Sequence, residues 1–131
     1  MSRSAPEEVV GAFIAAIEAQ DIDAAIDLLA DDVSYENMPV SPIVGKDAVR
    51  ATLEGFLGVA SRVEWPVTRQ VTSGSTVVNE RLDRFQIGED WLELPVAGVF
   101  EVDPSGRICL WRDYFDMASY TRQLTALTDN H

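Results

Sequence analysis

Three short motifs hold the residues most able to do chemistry: Tyr35-Glu36-Asn37, Arg81-Leu82-Asp83 and Trp111-Arg112-Asp113. Side chains alternate along a strand, so residues two apart share a face. Arg81 and Asp83 then point to the same side as Val77, Asn79, Phe85 and Ile87. Tyr35 and Asn37 share a side with Val33, and Asp113 shares one with Cys109, Trp111 and Phe115. Each set mixes bulky apolar residues with a few polar ones, as the wall of a small-molecule pocket does. The opposite faces, with Glu80, Leu82 and Arg84 or Arg112, Tyr114 and Asp116, suit a solvent edge or a subunit contact.

A single arginine between two carboxylates cannot fully stabilise both anions in an apolar setting. Desolvation and mutual repulsion favour protonating one while the other stays ionised. That places an acid beside a base. Tyr35 and Asn37 add a phenol and an amide, both able to hold water. Asp113, Tyr35 and Asn37 can grip a water and take its proton as it attacks, while Asp83 hands a proton to a leaving oxygen. An epoxide suits this push–pull addition, because ring strain supplies the electrophile and its oxygen needs a proton as the ring opens. Taken singly, an arginine–aspartate pair is more often a cross-strand salt bridge than a catalytic device.

The elements that must position these residues follow from periodicity. Ser4 and Glu7 have capping-box spacing, with Pro6 in the first turn. Val10, Phe13, Ile14 and Ile17 form one helical stripe. Asp21 caps a second helix carrying Ile22, Ala25, Ile26 and Leu29. A strand over 31–38 stops at Pro39, and Val49, Leu53, Phe56 and Leu57 mark a third helix. From Arg62 the period becomes two, over 62–72, 75–87, 91–102 and 107–116, with a terminal helix after Asp116. Helices followed by a curved, mainly antiparallel sheet predict an α+β cone with an internal pocket, in one domain over 1–131. Three-residue hairpin loops would pair Ile87 with Trp91 and Asp103 with Arg107. Arg81, Ala97 and Asp113 would then form a row across three strands, with alanine leaving the path open.

Composition narrows the chemistry. The 131 residues are 47% hydrophobic, with 10 Lys+Arg against 22 Asp+Glu and a net charge of −12. That balance opposes nucleic acid and anionic membranes as partners. No apolar run approaches the ~20 residues of a membrane span, and no signal-peptide core is recognisable, so a cytoplasmic protein is expected. The one histidine is His131 at the end of the chain. A histidine base, a Ser-His-Asp triad or a histidine-ligated metal is therefore disfavoured. Cys109 stands alone, as a small buried residue rather than a nucleophile.

Tyr35-x-Asn37, Arg81-x-Asp83 and the Trp111–Asp116 run, in this order, resemble the limonene-1,2-epoxide hydrolase family, within the cone-shaped class that includes nuclear transport factor 2 and ketosteroid isomerase. The resemblance spans nearly the whole chain. It implies Asp83 as general acid, Asp113 as general base, Arg81 as their bridge, and Tyr35 and Asn37 as water holders. It also implies a homodimer and no cofactor or metal. Met38, Leu53, Phe56, Leu57, Phe85, Val99, Trp111 and Phe115 are candidate walls for an apolar substrate, such as a cyclic terpene or lipid epoxide; several of them also fit ordinary core. Two rivals remain: an isomerase or cyclase on the same cone, and a non-catalytic binding or dimerisation module. The first needs a single strong base, which an adjacent arginine would weaken. The second needs no buried acid–base pair.

Overall fold

The computed structural model describes residues 5–38 and 40–129. Helix α1 spans Pro6–Glu18 and helix α2 Ile22–Asp27. The expected Ser4 cap and the stop at Pro39 lie outside the described residues. Ala5 is the residue that precedes α1, and its N–H donates to Glu8 Oε1 at 3.4 Å, one position later than the expected pair. Asp21 caps α2 as expected, its Oδ1 accepting from the Ala24 N–H at 3.1 Å. The stripe Val10, Phe13, Ile14 and Ile17 is buried.

Strand β1 (Leu29–Met38), the two-residue β2 (Ile43–Val44) and helix α3 (Lys46–Leu57) follow. The sheet then continues through β3 (Arg62–Glu64), β4 (Val67–Ser73), β5 (Thr76–Ile87), β6 (Asp90–Val102) and β7 (Ile108–Tyr114), and helix α4 (Met117–Asp129) closes the sequence of elements. The run expected over 62–72 is two strands. Trp65 and Pro66 interrupt it, and Pro66 has no N–H for a ladder. β3 pairs with the end of β5 and β4 with its beginning. The seven strands form one open sheet in the order β2-β1-β7-β6-β5-β3, with β4 also on β5. All pairs are antiparallel except β1 with β7. This is the expected α+β cone. Phe13 of α1 packs edge-on against Phe100 and Trp111 on its inner face. Among the described residues no helix is long and apolar enough to cross a membrane.

The register differs from the expected one, for two local reasons. The β5–β6 hairpin has a two-residue turn, Gly88-Glu89, and pairs Ile87 with Asp90. Gly88 sits at φ 64°, a conformation glycine adopts without penalty. Arg81 therefore faces Val96, not Ala97. At the β6–β7 hairpin the Asp103 N–H does reach Arg107 O, at 2.7 Å. An irregularity at Cys109 then shifts the ladder, so Val102 pairs with Ile108 but Glu101 with Leu110. Ile108 takes a core position, and Cys109 is only half-buried. The row across three strands is Asn79, Gly98 and Asp113. Ala97 and Val99 face the other side of the sheet.

Gly98 thus stands where an alanine was expected, and it is smaller for a reason. A Cβ there would overlap Arg81 Nη1 and lie 2.9 Å from Asp113 Oδ1 and 3.2 Å from Asn79 Oδ1. Gly98→Ala is expected to destabilise the fold by about 1–3 kcal/mol through overpacking. Ala97→Ser, on the outer face, should stay within about 0.5 kcal/mol. Urea unfolding of both variants checks this. Equal effects would contradict the register.

Candidate active site

Arg81 is the centre of the site. It projects from β5 to the inner face with its side chain fully removed from solvent. Its Nε donates to Asp83 Oδ1 at 2.9 Å and its Nη2 to Asp83 Oδ2 at 3.0 Å. Nη2 also donates to Asp113 Oδ2 at 3.1 Å, from β7 two strands away. The remaining direction is taken by Asn79, whose Oδ1 accepts from Nη1 at 3.1 Å. Asn79 in turn donates to Gln70 Oε1 of β4 at 3.2 Å. The guanidinium lies 4.9 Å from the centre of the Trp65 ring and 5.9 Å from that of Phe100. Trp65 is itself fixed through its backbone N–H, which donates to Glu18 Oε2 at 2.8 Å. Aromatic faces suit a cation that has lost its water.

The parallel pairing of β1 with β7 brings the other polar residues in. It sets Tyr35 beside Trp111 and Asn37 beside Asp113. The Tyr35 ring stacks on Trp111 with centroids 3.7 Å apart and planes nearly parallel at 9°. A cavity of about 330 Å³ opens over this cluster. Tyr35, Asn37, Asp83 and Asp113 supply most of its polar wall, and Phe56, Trp65, Phe85, Leu94, Val96 and Phe115 much of its apolar wall. Met117 and Tyr120 of α4 complete one side.

Charge in this site is distributed unevenly. Burial pushes the Asp83 carboxyl up to about 6, against the opposing pull of Arg81. Burial also raises Asp113, again opposed by Arg81. Burial and the nearby Asp113 charge hold the Tyr35 phenol well above its usual range, so it stays protonated. Burial pulls Arg81 down, but the two carboxylates outweigh it and keep the guanidinium charged. One cation and two carboxylates sum to one negative charge. A single proton on the pair makes the buried cluster neutral, which is the cheaper state in an apolar wall. Asp83 receives two of Arg81's hydrogen bonds and Asp113 one. Asp113 Oδ1 is buried without a hydrogen bond of good geometry, and the neighbouring Trp111 indole favours its ionised form.

All five residues singled out for chemistry converge here: Tyr35, Asn37, Arg81, Asp83 and Asp113. Of the candidate walls, Phe56, Phe85 and Phe115 line the cavity. The other five do not. Leu53 and Leu57 are core residues on the buried side of α3, and Trp111 is fully buried behind Tyr35. Met38 alternates away from Asn37. Val99 faces outward because the register is shifted by one. Sequence reasoning missed Leu94, Val96, Thr52 and Tyr120 as lining residues, and Asn79 and Gly98 as supports of the arginine. The shifted β6 register hides Leu94, Val96 and Gly98. Asn79 was legible as an inward residue two positions before Arg81. Cys109 stays a thiol, its ionisation held up by burial. Among the described residues no group of three or more His, Cys, Asp or Glu is placed to hold a metal ion.

With this geometry in view, comparison with known proteins is informative. The model of the limonene-1,2-epoxide hydrolase catalytic domain matches residues 4–126. Epoxide hydrolase EphG of Mycobacterium tuberculosis (strain ATCC 25618 / H37Rv) is 40% identical over 108 residues, 82% of this chain and 71% of that one. The structure of an M. tuberculosis LEH-like epoxide hydrolase is 36% identical with a TM-score of 0.78, and the match covers 96% of both chains. A SnoaL-like polyketide cyclase from Shewanella denitrificans OS-217 has a TM-score of 0.77 at 14% identity, over 92% of this chain and 97% of its own. That last likeness is one of fold alone. The chain that buries Arg81 between Asp83 and Asp113 belongs to the limonene-1,2-epoxide hydrolase family.

Proposed function

We propose that this protein adds water directly to an apolar epoxide, in one step and without a covalent intermediate, to give a vicinal diol. The observation that carries this reading is the pair of carboxyls on one arginine nitrogen, Asp83 Oδ2 at 3.0 Å and Asp113 Oδ2 at 3.1 Å, both facing one cavity. Asp113 is the base, because Asn37 is its neighbour in register and Tyr35 lies one inward position away. A water held by those three residues loses a proton to Asp113 as its oxygen bonds to a ring carbon. The carbon–oxygen bond of the ring breaks, and Asp83 protonates the departing oxygen. The pair ends with the same number of protons, moved from Asp83 to Asp113, and resets by one proton transfer. Apolar walls from Phe85, Leu94, Val96 and Phe115 suit a hydrocarbon skeleton, cyclic or lipid-like.

Two experiments address the mechanism. A single turnover with excess enzyme in oxygen-18 water should put the label in the diol and none in the protein; label in a carboxylate would mean an ester intermediate. Asp83→Asn and Asp113→Asn should each lower kcat by at least about a hundredfold while the far-ultraviolet circular dichroism is retained. Near-normal activity in either would remove that residue from its role.

The pH dependence follows from both carboxyls being raised. Asp83 works protonated, so its contribution is full below about 6 and is lost as pH climbs through that value. Asp113 works ionised, so activity falls again as pH drops through its own elevated value. The profile of kcat/KM should be a bell, its limbs belonging to the pair rather than to either residue. A flat profile from pH 5 to 8 would contradict this.

The family resemblance also supports a homodimer through the outer sheet face. Val71, Val78 and Tyr114 are 68%, 41% and 45% exposed there. Sedimentation equilibrium should give twice the 14.4 kDa chain mass. Tyr114→Glu should favour the monomer.

A further inference from the structure

A second cavity lies against the first, and the proposed reaction does not use it. Its volume is also about 330 Å³. The two share three lining residues: Phe56, Phe85 and Tyr120. Phe56 and Phe85 meet edge to face, with ring centres 5.9 Å apart, and so form part of the partition.

Every element around the partition continues from one cavity into the other. On β5 the inward series runs from Asp83 through Phe85 to Ile87. On β6 it runs from Val96 and Leu94 to Leu92. On α4 it runs from Tyr120 through Leu124 to Thr128, one helical turn at a time. On and just beyond α3 it runs from Thr52 and Phe56 to Val59 at the outer rim, where Val59 is 53% exposed. Two of these paths have matching lengths. Asp83 to Ile87 covers roughly 13 Å of strand, and Tyr120 to Thr128 about 12 Å of helix. Among the described residues no charged side chain lines the second cavity, although the chain carries 32 charged side chains of the Asp, Glu, Lys and Arg types (22 and 10). Tyr120 and Thr128 are the polar side chains among its described lining residues.

We propose that this second cavity is a subsite for an unbranched hydrocarbon arm attached to the epoxide, reached past the Phe56–Phe85–Tyr120 partition. The epoxide end sits at Asp83 and Asp113. The arm runs along β5 and α4 for about eight to ten carbons, the length of the two matched paths. Specificity is then set by the partition and by Leu92 and Leu124, not by the five polar residues of the catalytic end. This inference rests on the epoxide reading of the first cavity for the identity of the head group, but not for the binding of the arm.

The test is a chain-length series. Dissociation constants of 1,2-alkanediols with six to fourteen carbons are measured by titration calorimetry. Affinity should rise about threefold to fourfold per methylene, then level off near twelve carbons. Leu124→Trp and Thr128→Trp each fill the second cavity, and Thr128 is exposed enough for its replacement to leave the fold intact. The preference for twelve carbons over six should collapse at least tenfold in both. A wild-type series without chain-length dependence, or the same preference in both variants, would overturn the proposal. Turnover of the matching 1,2-epoxyalkanes separates the two readings. Diol binding that follows chain length, with no epoxide opened, would sink the hydrolase reading and keep the arm subsite. Epoxide turnover with no dependence on chain length would do the reverse.

Discussion

One guanidinium stripped of water, and held by two carboxylates, is the constraint on which the rest of the structure depends. Burying such a cluster is unfavourable unless its geometry is good and its remaining donors are occupied. The fold meets that condition from several directions. Asp83 comes from the same strand, Asp113 from two strands away, and Asn79 from the adjacent inward position. Trp65 and Phe100 cover the cation with rings. Gly98 leaves the space the guanidinium crosses. Each of these is a local choice of residue, and each makes sense only when Arg81 is in place.

The same cluster also explains how two identical side chains come to differ. Asp83 is gripped by two donors of the arginine, whereas Asp113 receives one and has the Trp111 indole beside it. Asp113 stands in register with Asn37, and Asp83 stands next to Leu94. One carboxyl therefore faces an amide and a phenol, while the other faces a hydrocarbon wall. Unequal surroundings favour an uneven sharing of protons between two carboxyls, and pairs of acids with divided protons are suited to moving protons in opposite directions at once.

Period-two alternation was enough to place Tyr35, Asn37, Arg81, Asp83 and Asp113 on inward faces, because a one-residue pattern survives uncertainty about which strand is next door. Pairing was not legible at that level. It turned on Gly88 making a two-residue turn and on an irregularity at Cys109, and neither leaves a periodic trace. Two slips of one residue exchanged Ala97 for Gly98 and turned Val99 outward, yet Arg81 still reached Asp113, since a long flexible side chain tolerates a shift that a short wall residue does not. The α3 wall was half legible for a similar reason. Phe56, Leu53 and Leu57 lie on one apolar stripe, and only the curvature of the sheet decides that Phe56 meets the cavity while the leucines meet the core.

The parallel contact between β1 and β7 has a consequence for the order in which the molecule acquires its site. Hairpins join β5, β6 and β7, so Arg81, Asp83 and Asp113 are brought together by turns between neighbours in sequence. β1 has no such turn to β7; Glu36 and Arg112, bonded across that seam, are 76 residues apart. Closing so long a loop is entropically late. The charge cluster can form on the three-stranded part first, still open to water, and is sealed only when β1 docks and lays Tyr35 on Trp111. Dehydration of the ion cluster and completion of the cone are then one event, which ties the last step of folding to the first moment at which the two carboxyls become unequal.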